Sequence, residues 1–596
     1  MDLVAKTREL MKDYLKRFKP REVDEVFEKA KEIVNSITSP DSDLKPIKYN
    51  EISFRDLEID GIARQIYCNT PNQKESTGEY TTEFFKKPIQ NIEELIKRQD
   101  IIEELTYSEE LNKQVEKVKI AADVYAHDRI FEKKYRDSDV QELENIKNFV
   151  LLINRINDIG EVKSEKLQLL KTFAKKISED KGFQQAEMFI QDTYIPYNLG
   201  NVLAEMNVFL YNKKLNQVEN RREFYSYTKL LEEATGQLFN LEYLEHFWNK
   251  REGLDVGMSN KLKEFVELYK KNLFGFKGDL YSFQEDNNGD FIEFREYWMS
   301  VVQEALNSKL PPQTEITDLP EELGVFLGIA NYQREIIEKG ISLTRPVFAD
   351  QKDKKAEILN GHNLTLIKTI DEENIVSNNV VSDKDKNLFI ITGPNNGGKT
   401  TYLRQVGQAY WTAHLGMLLA AEKAELSPVD GIFTSISHGD NTLEGEGQYL
   451  YELKNVSEFT NPNNGRLSVT PYSLLLFDEF ANGTDNAEGV ERTKVVLEHL
   501  DTKGVTAYFT SHKPEIAEMV EQGKFLGAVN LACEAQNNGK TIITTFKVLR
   551  DAKEKSYGHV QAEALDITPD GLRKRFDTEL KNGLYSKEDT RISSHN

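Results

Sequence analysis

Eight consecutive residues, Gly393-Pro394-Asn395-Asn396-Gly397-Gly398-Lys399-Thr400, have the types and order of a phosphate cradle. Glycines let backbone N–H groups converge on phosphate oxygens where a Cβ would intrude, and a helix beginning there turns its positive dipole end toward the same anion. Lys399 can reach the β- and γ-phosphates of ATP, and the Thr400 hydroxyl is a ligand for Mg2+. Thr401 completes the nucleotide-binding set. About 80 residues downstream, an apolar run ends in Asp478 and Glu479. There, Asp478 can hold the metal through its water shell and Glu479 can polarise an attacking water as general base. Paired acids at a strand end are common on solvated surfaces; their place behind a phosphate loop gives them meaning. His512 ends a third apolar run, where it could sense the γ-phosphate.

These residues need rigid elements behind them. Residues 387–392, 473–477 and 506–510 are short apolar runs bounded by turn or polar residues, and read as buried strands. A helix from Lys399 to His414 is expected to follow the loop. Strands alternating with helices from about residue 346 predict an α/β domain on a parallel sheet. Upstream, apolar residues recur at heptad-like spacing, as in Ile101, Leu105, Leu111, Val115, Val118 and Ala121, and in residues 140–176 and 262–273. Long polar faces separate them, which suggests extended helices packed in pairs. Loop signals fall at residues 70–78, at Asp286-Asn287-Asn288-Gly289 and at Pro311-Pro312. The expected division is a helical segment over 1–50, an all-α region over 51–345, the α/β domain over 346–575 and a polar tail over 576–596.

The chain has 596 residues, enough for about four domain-sized units. Its 77 Lys+Arg against 99 Asp+Glu give a net charge of −22. That excludes a wholly basic nucleic-acid coat: phosphate contact needs a local basic surface, because the field of the whole molecule repels it. Cys68 and Cys533 are too few for a disulfide framework or a cysteine-rich zinc site, so a reducing cytoplasm is expected. The charged N-terminus argues against a signal peptide and the absence of an 18-residue apolar run against a membrane span.

The stretch Ile391 to Gln405 resembles the phosphate loop of the MutS DNA mismatch repair family, within the ABC ATPase superfamily. Four further stretches agree in order: Asp430 to Thr434, Asp478 to Asp485 (metal strand and D-loop), Thr510-Ser511-His512 (switch histidine) and Ser556-Tyr557-Gly558. Residues 77–105 are similar to the start of the family's core domain. The resemblance implies an ABC-type P-loop ATPase domain following an all-α core and lever domain. It implies a dimer, here a homodimer, with composite sites for ATP and Mg2+, in which residues 439–453 supply a signature element in trans. Gly447 stands there where the family has Ser, so backbone N–H groups would meet the γ-phosphate without a hydroxyl. Asn396 stands where Met is usual, and Ile375 where a Phe stacks the adenine.

The resemblance also implies a partner, double-stranded, mismatched or branched DNA. About 50 residues precede the core, too few for a mismatch-reading domain, and fewer than 25 follow the ATPase domain, so a short form is expected. Gly289 to Phe294 mimics the mismatch-wedging Phe-x-Glu, but Phe291 and Phe294 read better as core. Lys213, Lys214, Arg221 and Arg222 are basic clusters that could touch phosphate or simply face solvent. The clamp signature is not found. Together with the acidic charge, this keeps a second reading open: an ABC-type ATPase scaffold acting on protein or ribosomal partners without DNA.

Overall fold

The computed structural model describes residues 44–50, 52–127, 138–179, 183–184, 187, 318–371, 374–436, 457, 469–481, 485–537, 542–551 and 568–582. By their contacts they form two compact units. One holds the described residues of 120–159 and 169–187. The other holds 44–119, 160–168 and everything described from 318 onward. A sequence boundary at 345 therefore separates two textures of chain, while residues 44–119 and 318–345 pack with the α/β region.

The helices before the α/β region are α1 (Ser53–Asp56), α2 (Ile59–Cys68), α3 (Glu75–Phe85), α4 (Ile92–Tyr107), α5 (Glu109–His127), α6 (Ser138–Asn157), α7 (Glu165–Ser178) and α8 (Leu319–Glu338). The heptad-like run from Ile101 to Ala121 is divided between α4 and α5. Ser108 adopts extended backbone between them, and its Oγ accepts from the Leu111 N–H, a side-chain cap that starts α5. All six heptad residues are buried, because the spacing fixes the face even where the helix is interrupted. Within the first unit, Tyr125 and Phe149 pack with ring centroids 5.4 Å apart, beside buried Ile153 and Ile156.

The second unit is built on a seven-stranded sheet in the order β1-β9-β10-β11-β6-β12-β13. Its strands are β1 (Lys48–Tyr49), β6 (Leu388–Thr392), β9 (Gly431–Ser435), β10 (Ser473–Phe477), β11 (Thr506–Thr510), β12 (Ala528–Asn537) and β13 (Ile542–Arg550). All pair in parallel except β13, which runs antiparallel to β12. Every residue of β6, β9, β10 and β11 is buried. A parallel strand covered on both faces is largely apolar, which is why β6, β10 and β11 stand out in the sequence, while β9, ending in Thr434 and Ser435, does not. β1 lies in the stretch read as helical. Its two residues pair with Gly431 and Ile432, a distant partner that local patterning does not reveal.

A second sheet, in the order β3-β8-β4-β5, contains β3 (Val347–Phe348), β4 (Ala356–Gly361), β5 (Asn378–Ser382) and β8 (Lys423–Leu426). β2 (Leu343–Thr344) and β7 (Leu419–Ala420) pair separately. The remaining helices are α9 (Leu364–Thr369), α10 (Lys399–Ala413), α11 (Asn486–Lys503), α12 (Pro514–Glu521) and α13 (Pro569–Lys581).

The helices before the α/β region are tied to α10 by buried and half-buried polar contacts. Trp411 Nε1 donates to the Phe85 carbonyl at 2.9 Å, Gln408 Nε2 to the Leu57 carbonyl at 3.0 Å, and Arg404 Nε to the Asp56 carbonyl at 3.0 Å. Buried polar groups of this kind must be matched, since an unmatched one costs about 1–3 kcal/mol. Among the described residues no helix is long and apolar enough to cross a membrane.

Candidate functional site

The site forms where β6, β10 and β11 end at the same edge of the sheet. β11 lies between the other two, so its last residues can touch both. After Thr392, the chain turns away from the sheet through Gly393, whose φ of 143° excludes most side chains. A Cβ at this position would stand 2.9 Å from Cys533 Cβ on β12. Asn396 takes a left-handed φ of 59°, which asparagine tolerates better than Met. The Gly397 N–H closes a turn onto the Pro394 carbonyl at 3.1 Å. Gly398, at φ 90°, begins α10.

Lys399 is buried at the foot of this loop. Its Nζ donates to the Pro394 carbonyl at 3.0 Å and to the Gly393 carbonyl at 3.3 Å. Burial lowers the affinity of its amine for a proton, against the attraction of the Glu479 and Asp478 carboxylates. Burial also pushes the Cys533 thiol up to about 11, so it stays a neutral packing group. The Thr401 carbonyl accepts from Asn363 Nδ2 at 3.1 Å, which holds the first turn of α10.

A chain of hydrogen bonds joins the other chemistry-bearing residues. Thr400 Oγ1 donates to Asp478 Oδ2 at 2.8 Å. Thr510 Oγ1 donates to Asp478 Oδ1 at 2.6 Å and accepts from the Glu479 N–H at 2.8 Å. His512 Nε2 lies 2.5 Å from Glu479 Oε1. Glu479 has a φ of 55°, a left-handed backbone at a non-glycine residue. The structure therefore brings Lys399, Thr400, Asp478, Glu479 and His512 to one place. Thr510 is the member that sequence reasoning missed as a participant; its only signal was a hydroxyl at the last position of a strand between the loop and the acids.

Phe546 was also missed. The ladder between β12 and β13 slips between Cys533 and Ala535, and Phe546, at φ 58°, lies in the irregular stretch opposite. Such bulges re-aim a side chain. Here the ring carbon Cδ1 comes within 3.3 Å of where a Gly398 Cβ would stand, yet the residue remains 46% exposed. The Asn378 side chain fixes the bulge, donating to the Phe546 carbonyl at 3.0 Å and accepting from the Val548 N–H at 2.8 Å. Ile375 is half-buried in the stretch before β5. Gly447 with the segment 439–453, Asn482 to Thr484, Ser556 to Gly558, Gly289 to Phe294, and the clusters at 213–214 and 221–222 lie outside the described residues.

Residues 389–579 match the family model of MutS domain V. The chain is 28% identical over 340 residues to the DNA mismatch repair protein MutS of Syntrophomonas wolfei, covering 56% of this chain and 36% of that one. With its counterpart in Finegoldia magna it shares 25% over 537 residues, 85% of this chain and 58% of the relative. With that of Acetivibrio thermocellus it shares 33% over 242 residues, 40% and 27% of the two chains. Over these stretches the chain is similar to proteins of the MutS family.

MutS domain V is the family's P-loop ATPase domain, and the parallel sheet around β6 is its framework here. MutS proteins bind ATP and hydrolyse it. The matches span between 27 and 58% of these three relatives' own lengths.

The donor set at Thr400 and Asp478 suits Mg2+, a hard ion that takes oxygen ligands and keeps several waters. Among the described residues no group of three or more His, Cys, Asp or Glu side chains forms a metal cage. A site of one hydroxyl and one carboxylate leaves the remaining positions to water and phosphate oxygens, as a nucleotide-bound Mg2+ requires.

Proposed function

We propose that this chain is a MutS family ATPase that couples ATP hydrolysis to closure of a homodimer on double-stranded, mismatched or branched DNA. The observation that carries the ATPase reading is the continuous hydrogen-bonded path Thr400–Asp478–Thr510–Glu479, with His512 on the Glu479 carboxylate.

Backbone N–H groups of residues 393–398 and the start of α10 would bind phosphate, with Lys399 turning from loop carbonyls to phosphate oxygens. Thr400 and Asp478 would hold Mg2+, which supplies charge neutralisation when bound. Glu479 would accept the proton of the attacking water, and His512 would orient Glu479 and report on the γ-phosphate. Phe546, standing over Gly398, is placed to stack the base; this gives the aromatic role to β13 in place of Ile375. In this reading residues 346–575 are the ATPase domain, residues 51–345 the core and lever region, and Gly447 meets the nucleotide of the partner copy through its backbone.

DNA enters through the relatives, each named a DNA mismatch repair protein. The net charge of −22 favours the second reading, a scaffold that uses ATP to engage protein or ribosomal partners. ATP turnover by the purified chain, abolished in Glu479→Gln while ATP still binds, tests the catalytic assignment. Turnover by Glu479→Gln at the wild-type rate would remove it. Electrophoretic shifts with duplex, mismatched and four-way DNA decide between the two partner classes.

A further inference from the structure

One buried cation beside this site has no part in the chemistry above. Lys513 follows His512 and is 7% exposed. Its Nζ donates to the Ala481 carbonyl at 2.8 Å, and its N–H donates to Ser511 Oγ at 3.1 Å. Ala481 has a φ of 57° and Glu479 a φ of 55°, so the turn that carries Glu479 is left-handed at two side-chain-bearing residues. Such a turn persists only where its surroundings hold it.

The hold comes from one four-residue stretch at the end of β11. Thr510 takes the Glu479 N–H at one end of the turn, His512 touches the Glu479 carboxylate, and Lys513 grips the Ala481 carbonyl at the other end. Space for that grip is left by Gly489 on α11. A Cβ there would stand 2.6 Å from the Ala481 oxygen and 2.8 Å from Lys513 Nζ. α11 is capped by Asp485, whose carboxylate accepts from the Ala487 and Glu488 N–H groups. Lys513 thus connects the switch histidine's segment to the turn that leads from Glu479 toward α11.

We propose that Lys513 is a positioning residue for hydrolysis: acting through the Ala481 carbonyl, it sets the backbone that aims Glu479, and it transmits movement of the His512 segment to the turn before α11. The inference rests on Glu479 being the general base. Lys513 lies outside the phosphate cradle, so its effect belongs to kcat and not to nucleotide affinity.

The test compares full-length wild type with Lys513→Met, Gly489→Ala and the double variant. ATP turnover and equilibrium ATP binding are measured and normalised to the folded fraction from circular dichroism. Lys513→Met removes the ammonium, while Gly489→Ala forces the same contact apart from the α11 side. Each single variant is expected to lower kcat tenfold or more and leave the ATP Kd within twofold. The double variant should lose little beyond the worse single one, because both disrupt one contact. If Lys513→Met fails to fold, Gly489→Ala decides alone. Unchanged kcat in a folded single variant, a matching loss of ATP affinity, or fully additive losses would overturn the proposal. Wild type without turnover would fell the ATPase reading and this one together; active wild type with unaffected variants fells this one alone.

Discussion

Thr510 shows how much one hydroxyl can do between two carboxylates. It donates to Asp478 Oδ1 and receives the Glu479 N–H, so it fixes Asp478 and Glu479, the acids proposed to hold the metal and to act as base, relative to each other. Thr510→Val keeps the shape but leaves a buried carboxylate oxygen and an amide without this partner. A stability loss of about 1–3 kcal/mol is expected in urea unfolding, with a fall in kcat of at least tenfold; Thr510→Ser should restore most of both. Wild-type kcat in Thr510→Val would mean that the hydroxyl is only packing. Phe546 makes a prediction of a different kind. If its ring stacks the base, Phe546→Ala should weaken ATP binding by roughly fivefold or more and leave inorganic triphosphate binding unchanged. Equal losses for both ligands would show that the ring only supports Gly398. The loop, both acids and His512 were legible because each is a distinctive residue type at a strand end. Thr510 and Phe546 were not, since a strand threonine and a strand phenylalanine are ordinary, and the bulge that turns Phe546 leaves no mark in the local sequence.

Elements were legible in proportion to their burial. β10 and β11 occupy the residues expected of them, because a fully covered strand has an apolar middle, here Leu474 to Phe477 and Ala507 to Phe509. β1 was hidden: two residues, Lys48 and Tyr49, become a strand only through a partner almost 400 residues away. The same distance conceals the buried network in which the Asp56 carboxylate accepts from Thr434 Oγ1 at 2.7 Å and from the Ile436 N–H at 3.0 Å. His414, just beyond the end of α10, belongs to this class of non-local joints. It is fully buried between the Ile89 carbonyl, 2.7 Å from Nδ1, and the Val429 N–H, 3.1 Å from Nε2. The neutral ring with its proton on Nδ1 satisfies both partners. Burial accordingly lowers its pKa to about 4 from the usual 6.5. Between these values the unfolded chain binds the proton and the folded chain does not, so the stabilisation is whole above pH 6.5 and is lost as pH falls toward 4. His414→Leu removes this titration along with both hydrogen bonds. The stability gap between wild type and His414→Leu should narrow by roughly 3 kcal/mol from pH 7 to pH 4 in denaturant titrations. A gap independent of pH would show that His414 keeps an ordinary affinity for protons in the fold.

At the scale of the whole molecule, the question is what the nucleotide moves. A general base blocked by Glu479→Gln should leave ATP bound and unhydrolysed, and if two copies share each γ-phosphate, this variant should accumulate as a dimer. Sedimentation velocity with ATP, against ADP, reads this directly, and a monomer in both conditions would remove the composite site and with it the role given to Gly447. If DNA is the partner, it has to be gripped against a net charge of −22, which repels phosphate at long range. Only a local basic surface can do so, and each neutralised phosphate steepens the salt dependence, with a slope of about −0.9 per contact. If the ATP-bound dimer closes on a duplex through six or more such contacts, its affinity should fall on the order of a thousandfold between 50 and 200 mM salt. A shallow slope would mean an incidental encounter, and no binding to duplex, mismatched or branched DNA with either nucleotide would leave the protein- or ribosome-directed scaffold as the reading that fits the charge.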